Sequence, residues 1–232
     1  MNRQITESPL IAAIKVSVLQ IAALALIFLV FSGRFTDIYV YIFFGCYFIL
    51  TVASYYVLTD KVPQTLYFRL KKNKLNVESW DKKVVFLYGS FLVLIFVISA
   101  LEMRFFPKPD QLRFSFLISL VLLVFYKLII TQVILTNPFY ETHVRFQSDR
   151  NQMVIDSGPY KYVRHPGYSA SILLIISIVL AAESYYGLIP AVLFVANLIY
   201  RITREEKLLL EKLLNYDSYM ESTKYRILPG IW

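Results

Sequence analysis

Phe114-Ser-Phe-Leu-Ile-Ser-Leu-Val-Leu-Leu-Val-Phe-Tyr-Lys-Leu-Ile-Ile-Thr-Gln-Val-Ile-Leu135 is 22 residues long and holds one charge, Lys127. A helix rises 1.5 Å per residue, so about 20 mostly apolar residues cross the hydrocarbon of a bilayer. This stretch meets that length, and three more like it come earlier, near Ile11–Phe31, Ile38–Leu58 and Val84–Leu101. The first is too long for a signal peptide, and no small-residue cleavage site precedes the next span. Two shorter apolar runs follow, Ser169–Ala182 and Leu188–Tyr200, separated by Glu183-Ser-Tyr-Tyr-Gly187. They read as a tight helical hairpin crossing a thinned or tilted path. The expected fold is all-α, a polytopic membrane helix bundle of about six transmembrane helices that includes this C-terminal hairpin.

Composition agrees. The 232 residues are 57% hydrophobic and 17% charged, with a mean hydropathy of +0.56. Soluble domains sit near 45–50% apolar and about 25% charged. Seven glycines occur, no two closer than nine positions, so GxGxxG, GxxxxGK[ST] and GxxxG are all absent. That excludes the classical dinucleotide fingerprint and the P-loop. The lone Cys46 permits no intrachain disulfide, and with only His143 and His165 no ligand set for a metal stands out.

Most of the charges behind the formal +8 lie between the spans, which favours an anionic membrane surface over nucleic acid. The segment 59–83 carries Lys61, Arg69, Lys71, Lys72, Lys74, Lys82 and Lys83. The segment 136–166 carries Arg145, Arg150, Lys161 and Arg164, and the tail adds six more basic residues from Arg201 onward. The other side has Arg34 in one loop and Arg104, Lys108 and Arg113 in another. The positive-inside rule then puts both termini and the two long loops in the cytoplasm.

Chemistry-bearing residues concentrate after position 136. Ser157-Gly-Pro-Tyr-Lys-Tyr-Val-Arg-His-Pro-Gly-Tyr168 opens on a Gly-Pro turn. Pro166 suits the first position of the next helix, which puts Arg164 and His165 beside its positive end, a seat for a carboxylate or other anion. The plainer reading is a basic and aromatic belt at the membrane interface. Farther on, Arg201-Ile-Thr-Arg-Glu-Glu206 puts Arg201 and Glu205 on one helix face. An exposed pair of this kind is worth only about 0.3–0.5 kcal/mol, whereas a carboxylate at a membrane mouth can hold an amine or ribose hydroxyls. Lys127 is costly in hydrocarbon and faces the bundle interior or snorkels. His143 reads as a loop histidine, Glu183 as a solvated turn residue, and Glu102 with Arg104 as a simple interfacial pair.

The ordered set formed by Gly158–Tyr168, Arg201-xxx-Glu205-Glu206, Tyr216-xx-Tyr219 and Leu228-Pro-Gly230 resembles the isoprenylcysteine carboxyl methyltransferase family, its prokaryotic membrane branch above all. The resemblance spans Asn137 to Trp232, with weaker likeness at Ser79-Trp-Asp-Lys82 and Leu101-Glu-Met-Arg-Phe105. It implies an integral-membrane enzyme that uses S-adenosylmethionine, yields S-adenosylhomocysteine, and lacks the soluble Rossmann domain. Carried over position by position, its cofactor-binding segment falls on Gln152, Met153, Val154, Ile155 and Tyr160, then His165, Pro166, Gly167, Tyr168 and Glu205. Its substrate-side arginine falls on Arg201, and Glu206 or His165 stands as a base for an acceptor that must lose a proton. Ala170 departs from the pattern, since relatives often have glycine there.

The resemblance also implies a division of labour. Residues 1–136 form an N-terminal four-helix membrane region on the acceptor side, and residues 137–232 a cofactor-binding region with the hairpin and a cytoplasmic tail. The implied partners are a lipophilic small-molecule or lipid-linked acceptor and membrane lipids, with no nucleic acid and no obligate protein partner. The implied location is a prokaryotic cytoplasmic membrane. Three alternatives stay open: a phospholipid-type N-methyltransferase, an NADPH-dependent sterol-type reductase, and a non-enzymatic membrane protein.

Overall fold

A computed structural model describes residues 9–70, 76–106 and 114–232 of the chain. Lys71, Lys72, Lys74, Lys108 and Arg113, which enter the charge asymmetry, lie outside the described residues. The described residues form eight helices: α1 (Pro9–Ser32), α2 (Ile38–Lys61), α3 (Pro63–Leu70), α4 (Ser79–Phe105), α5 (Phe114–Thr136), α6 (Pro166–Ala182), α7 (Leu188–Lys212) and α8 (Tyr216–Ser222). No strand occurs among them. The protein is a polytopic membrane helix bundle.

Four of these helices, α1, α2, α4 and α5, are long and apolar enough to cross a membrane by length and composition. Their apolar side chains point outward as well as inward: Leu19, Phe86 and Phe114 are 73%, 73% and 75% exposed. In water that surface would aggregate; in lipid it is the solvated face. Inside, Phe28, Phe44 and Phe96 from α1, α2 and α4 meet ring to ring, with centroids 5.8–6.4 Å apart.

The expected six spans are only partly met. The 17 residues of α6 extend about 25 Å, short of a full hydrocarbon core. Helix α7 has 25 residues and is continuous, apolar at its start and charged from Arg201 onward, so it runs past the bundle as one rod. The tight hairpin also opens out. The turn exists, with Glu183 in the left-handed region at φ 50°, but α6 lies chiefly along α5 and α7 along α4. Ser177 Oγ donates to the Ser119 carbonyl at 2.7 Å, drawing α6 onto α5. Asn197 Nδ2 donates to the Val84 carbonyl at 3.1 Å, drawing α7 onto α4. Polar contacts of this kind act as glue between helices that lipid cannot drive together.

The turn is itself fastened from α4. Glu102 is buried and accepts hydrogen bonds from Ser184 Oγ (2.5 Å), Tyr185 N–H (3.1 Å) and Tyr186 N–H (2.9 Å). It therefore caps the α6–α7 turn and is more than an interfacial partner of Arg104. Glu183 likewise accepts from Ser115 Oγ of α5, so this turn carboxylate has a structural partner. At the opposite end of the bundle, α5 delivers the chain into the segment 137–165, where the candidate site lies.

Candidate functional site

Residue 158 begins the construction. Gly158 has φ +56°, and a Cβ there would stand 2.7 Å from Thr136 Oγ1, so glycine alone lets the chain fold tightly against the end of α5. The turn it opens holds Tyr160, whose hydroxyl accepts from Asn137 Nδ2 and whose carbonyl accepts from Tyr219 Oη, both at 2.8 Å. Helix α6 then starts at Pro166, where the missing N–H is no loss. The residues just before it pair with the tail: Arg164 N–H donates to the Tyr225 carbonyl at 2.9 Å and His165 N–H to the Arg226 carbonyl at 2.8 Å.

Beneath that pairing lies a charge cluster. Glu206 accepts from Arg164 Nε at 2.7 Å, from Arg226 Nε at 2.8 Å, and lies 3.2 Å from His165 Nε2. Arg164 Nη1 also donates to the Thr223 and Lys224 carbonyls, each at 2.8 Å. Burial by itself would raise the Glu206 pKa, but the hydrogen bonds from His165, Arg164 and Arg226 outweigh it and hold the carboxyl down at about 2. Arg164, read from sequence as a seat for an anion, already has its anion in Glu206 and two carbonyls besides.

The preceding carboxylate on α7 faces elsewhere. Glu205 accepts a hydrogen bond from Tyr168 Oη and lines a cavity of about 350 Å³. Of the twelve residues that the motifs single out, the structure brings ten to this cavity wall: Gln152, Met153, Val154, Ile155, Tyr160, His165, Gly167, Tyr168, Arg201 and Glu205. Pro166 and Glu206 are not on it. Pro166 sits buried behind as the helix start, and Glu206 is in the cluster just described.

Arg201 is held from a distance in sequence. Its Nε donates to Asp81 Oδ1 at 2.9 Å and its Nη2 to the Thr142 carbonyl at 2.6 Å. Asp81, in the first turn of α4, is fully buried. Its other oxygen accepts the Val144 N–H at 2.9 Å and lies 3.0 Å from His143 Nδ1. His143 is thus part of the site's support and lines the cavity too. The Ser79–Lys82 resemblance gives Asp81 no role; its signal in the sequence is an aspartate at the mouth of an apolar span.

The wall has further members that no motif announced. Tyr140 packs so closely on Gly167 that a Cβ there would stand 2.6 Å from its hydroxyl. Tyr47, Tyr88 and Tyr126 carry the cavity inward between α2, α4 and α5. Lys127 Nζ stands 4.6 Å and 5.2 Å from the Tyr47 and Tyr126 ring centroids, so this lysine faces the bundle interior. The cavity therefore joins the polar segment at one end of the bundle to the space between the spans. Among the described residues no group of three or more potential metal ligands occurs.

The helical membrane bundle thus holds a cavity of about 350 Å³ with a polar wall at one end. Residues 117–211, from the first turn of α5 to the end of α7, match the model of the isoprenylcysteine carboxyl methyltransferase (ICMT) family. No curated protein matches the chain.

Proposed function

We propose that the protein transfers a methyl group from S-adenosylmethionine to the carboxylate of a lipophilic acceptor, in the cavity between the segment 137–168 and the spans. The observation that carries this reading is that one continuous cavity is lined both by ten of the twelve motif residues and by tyrosines of the membrane spans.

The wall suits the cofactor. Val154, Ile155, Leu209 and Leu213 offer apolar surface to a planar base, while Glu205 offers an acceptor to ribose hydroxyls and negative charge to a cation. Gly167, having no Cβ, lets Tyr140 pack against the first turn of α6 and form the wall there. When bound, S-adenosylmethionine supplies a methyl group activated by its sulfonium charge.

An acceptor carboxylate is ionised at neutral pH. Its oxygen forms the new bond to carbon as the carbon–sulfur bond breaks, and that electron pair stays on sulfur. No proton moves, so no general base is needed, and the protein's tasks are alignment and exclusion of water. Arg201, with Nε and Nη2 already bonded, keeps Nη1 for a substrate oxygen and its charge beside Tyr168, whose ring centroid is 5.5 Å away. Glu206 is ionised and surrounded by cations, which makes it a poor proton acceptor; its role is to hold the N-terminus of α6 against the tail. Residues 137–232 are the cofactor side and the spans the acceptor side, with the cavity mouth in the cytoplasm.

Calorimetric titration of the detergent-purified protein with S-adenosylmethionine, S-adenosylhomocysteine and NADPH tests the reading. Saturable binding of the first two, weakened about tenfold in Glu205→Ala by loss of charge-assisted hydrogen bonds, is expected. Binding of NADPH alone would make the protein a reductase instead.

A further inference from the structure

Most cations around the cavity have their acceptors within the protein. Arg145 is bonded to Glu141 and Asp149, Arg164 to Glu206 and two carbonyls, and Arg201 to Asp81 and a carbonyl. Arg69 differs. It stands in the last turn of α3 and lines the cavity, upstream of the segment that matches the family. Its Nη1 is buried and has no hydrogen-bond partner among the described residues. Its Cζ lies 4.7 Å from the Tyr140 ring centroid, and Tyr140 in turn abuts Gly167, so one aromatic ring separates this guanidinium from the first turn of α6.

A buried N–H of a charged group is the costliest kind to leave without an acceptor, and native proteins leave few of them. A guanidinium fixed on a ring face at a cavity wall, with one donor unsatisfied, is suited to a planar anion such as a carboxylate. Lys127, on the faces of Tyr47 and Tyr126, places an amine near the same cavity without an ion pair among the described residues. Arg201 offers a single spare nitrogen, which leaves an entering carboxylate an oxygen for a second donor.

We propose that Arg69 is a carboxylate receptor of the cavity and sets its preference for an amphiphile that ends in an acid. The proposal rests on the reading of this cavity as the methyl-transfer site. Two carboxylates meet there under that reading, the acceptor's and the one on the amino-acid end of the cofactor, and the shared chemistry is what Arg69 recognises.

The test uses the full chain in lipid nanodiscs, with dodecanoate and dodecanol as acceptor-like probes and S-adenosylhomocysteine as the cofactor probe. Wild type should bind dodecanoate about tenfold tighter than dodecanol, the size of effect a charge-assisted contact gives. In Arg69→Gln that preference should vanish with S-adenosylhomocysteine binding unchanged, and Arg69→Lys should restore part of it. The reverse pattern, a tenfold loss for S-adenosylhomocysteine alone, assigns the cofactor's carboxylate to Arg69. If Arg69→Gln has the thermal stability of wild type and alters neither ligand, the proposal is overturned. A readout on wild type covers a variant that does not fold: dodecanoate or S-adenosylhomocysteine should protect Arg69 from phenylglyoxal, followed by peptide mass, and protection by neither overturns the proposal. Should dodecanoate protect Arg69 while neither methyl-donor ligand binds at all, the carboxylate site stands and the methyltransferase reading falls.

Discussion

Glu205 and Glu206 are neighbours on α7, yet they belong to different parts of the molecule. Each residue advances a helix by about 100°, so adjacent side chains leave it in different directions. Glu205 looks into the cavity, where Tyr168 is its partner. Glu206 looks into the clamp, where Arg164, His165 and Arg226 surround it. In the clamp every strong charge meets its opposite and ties α6, α7 and the tail together. In the cavity charges are anchored on one side and left available on the other: Arg201 has two bonded nitrogens and one spare, and Arg69 has an orphan donor. Stability should therefore reside in the first region and ligand recognition in the second.

The strongest way to break this contrast is Glu206→Ala. Removing one partner of a buried ion cluster leaves uncompensated charge, and a loss of about 3–5 kcal/mol is expected, read from unfolding in detergent. A loss under about 0.5 kcal/mol would show that the clamp is ornamental to stability. The same carboxylate gives a pH signature. Its folded pKa of about 2 lies below the ordinary 4.5, so its contribution is complete above pH 4.5 and drains as the pH falls toward 2. Glu206→Gln should flatten that limb of the stability curve.

Asp81→Ala sharpens the boundary between the two regions, because Asp81 is buried like a clamp residue but serves a cavity residue. It strands Arg201 Nε and the Val144 N–H. A cost of about 3 kcal/mol is expected, together with weaker cofactor binding, since the Thr142–Val144 backbone borders the cavity. Stability loss with unchanged binding would place Asp81 wholly on the structural side.

Gly167→Ala sets a Cβ 2.6–2.9 Å from the Tyr140 ring and hydroxyl, which must move. Overpacking of this kind costs about 1–3 kcal/mol; the accompanying fall in S-adenosylhomocysteine affinity is the informative number, and unchanged affinity would separate Gly167 from the cofactor. Smallest in stability is Glu205→Gln, expected within about 0.5 kcal/mol of wild type. It should still lower S-adenosylhomocysteine affinity about tenfold. A protein that unfolds on that change but binds normally would invert the comparison.

Much of this was readable in one dimension because it depends on local chemistry. Four spans follow from length and apolarity, and the N-terminus of α6 from Pro166. Ten of the twelve candidate site residues after position 136 reach the cavity wall, with Pro166 and Glu206 the exceptions. What was not legible depends on partners far apart in the chain. Asp81 meets Arg201 across 120 positions, and Glu102 meets Ser184 across 82. The short apolar runs after 168 looked like a hairpin because sequence shows their adjacency, whereas Ser119, Ser177, Val84 and Asn197 decide which neighbours they lie against.

By itself, then, the sequence determined a helical membrane protein whose chemistry gathers in its last hundred residues, since apolar runs of about 20 residues match a helix across hydrocarbon and a motif of rare residue types keeps its order. Tertiary structure decided which charges are neutralised and which stay open. Glu205 and Glu206 are the same residue side by side in the chain, and only the direction each takes from α7, with the groups waiting there, makes one a wall of the cavity and the other the centre of the clamp.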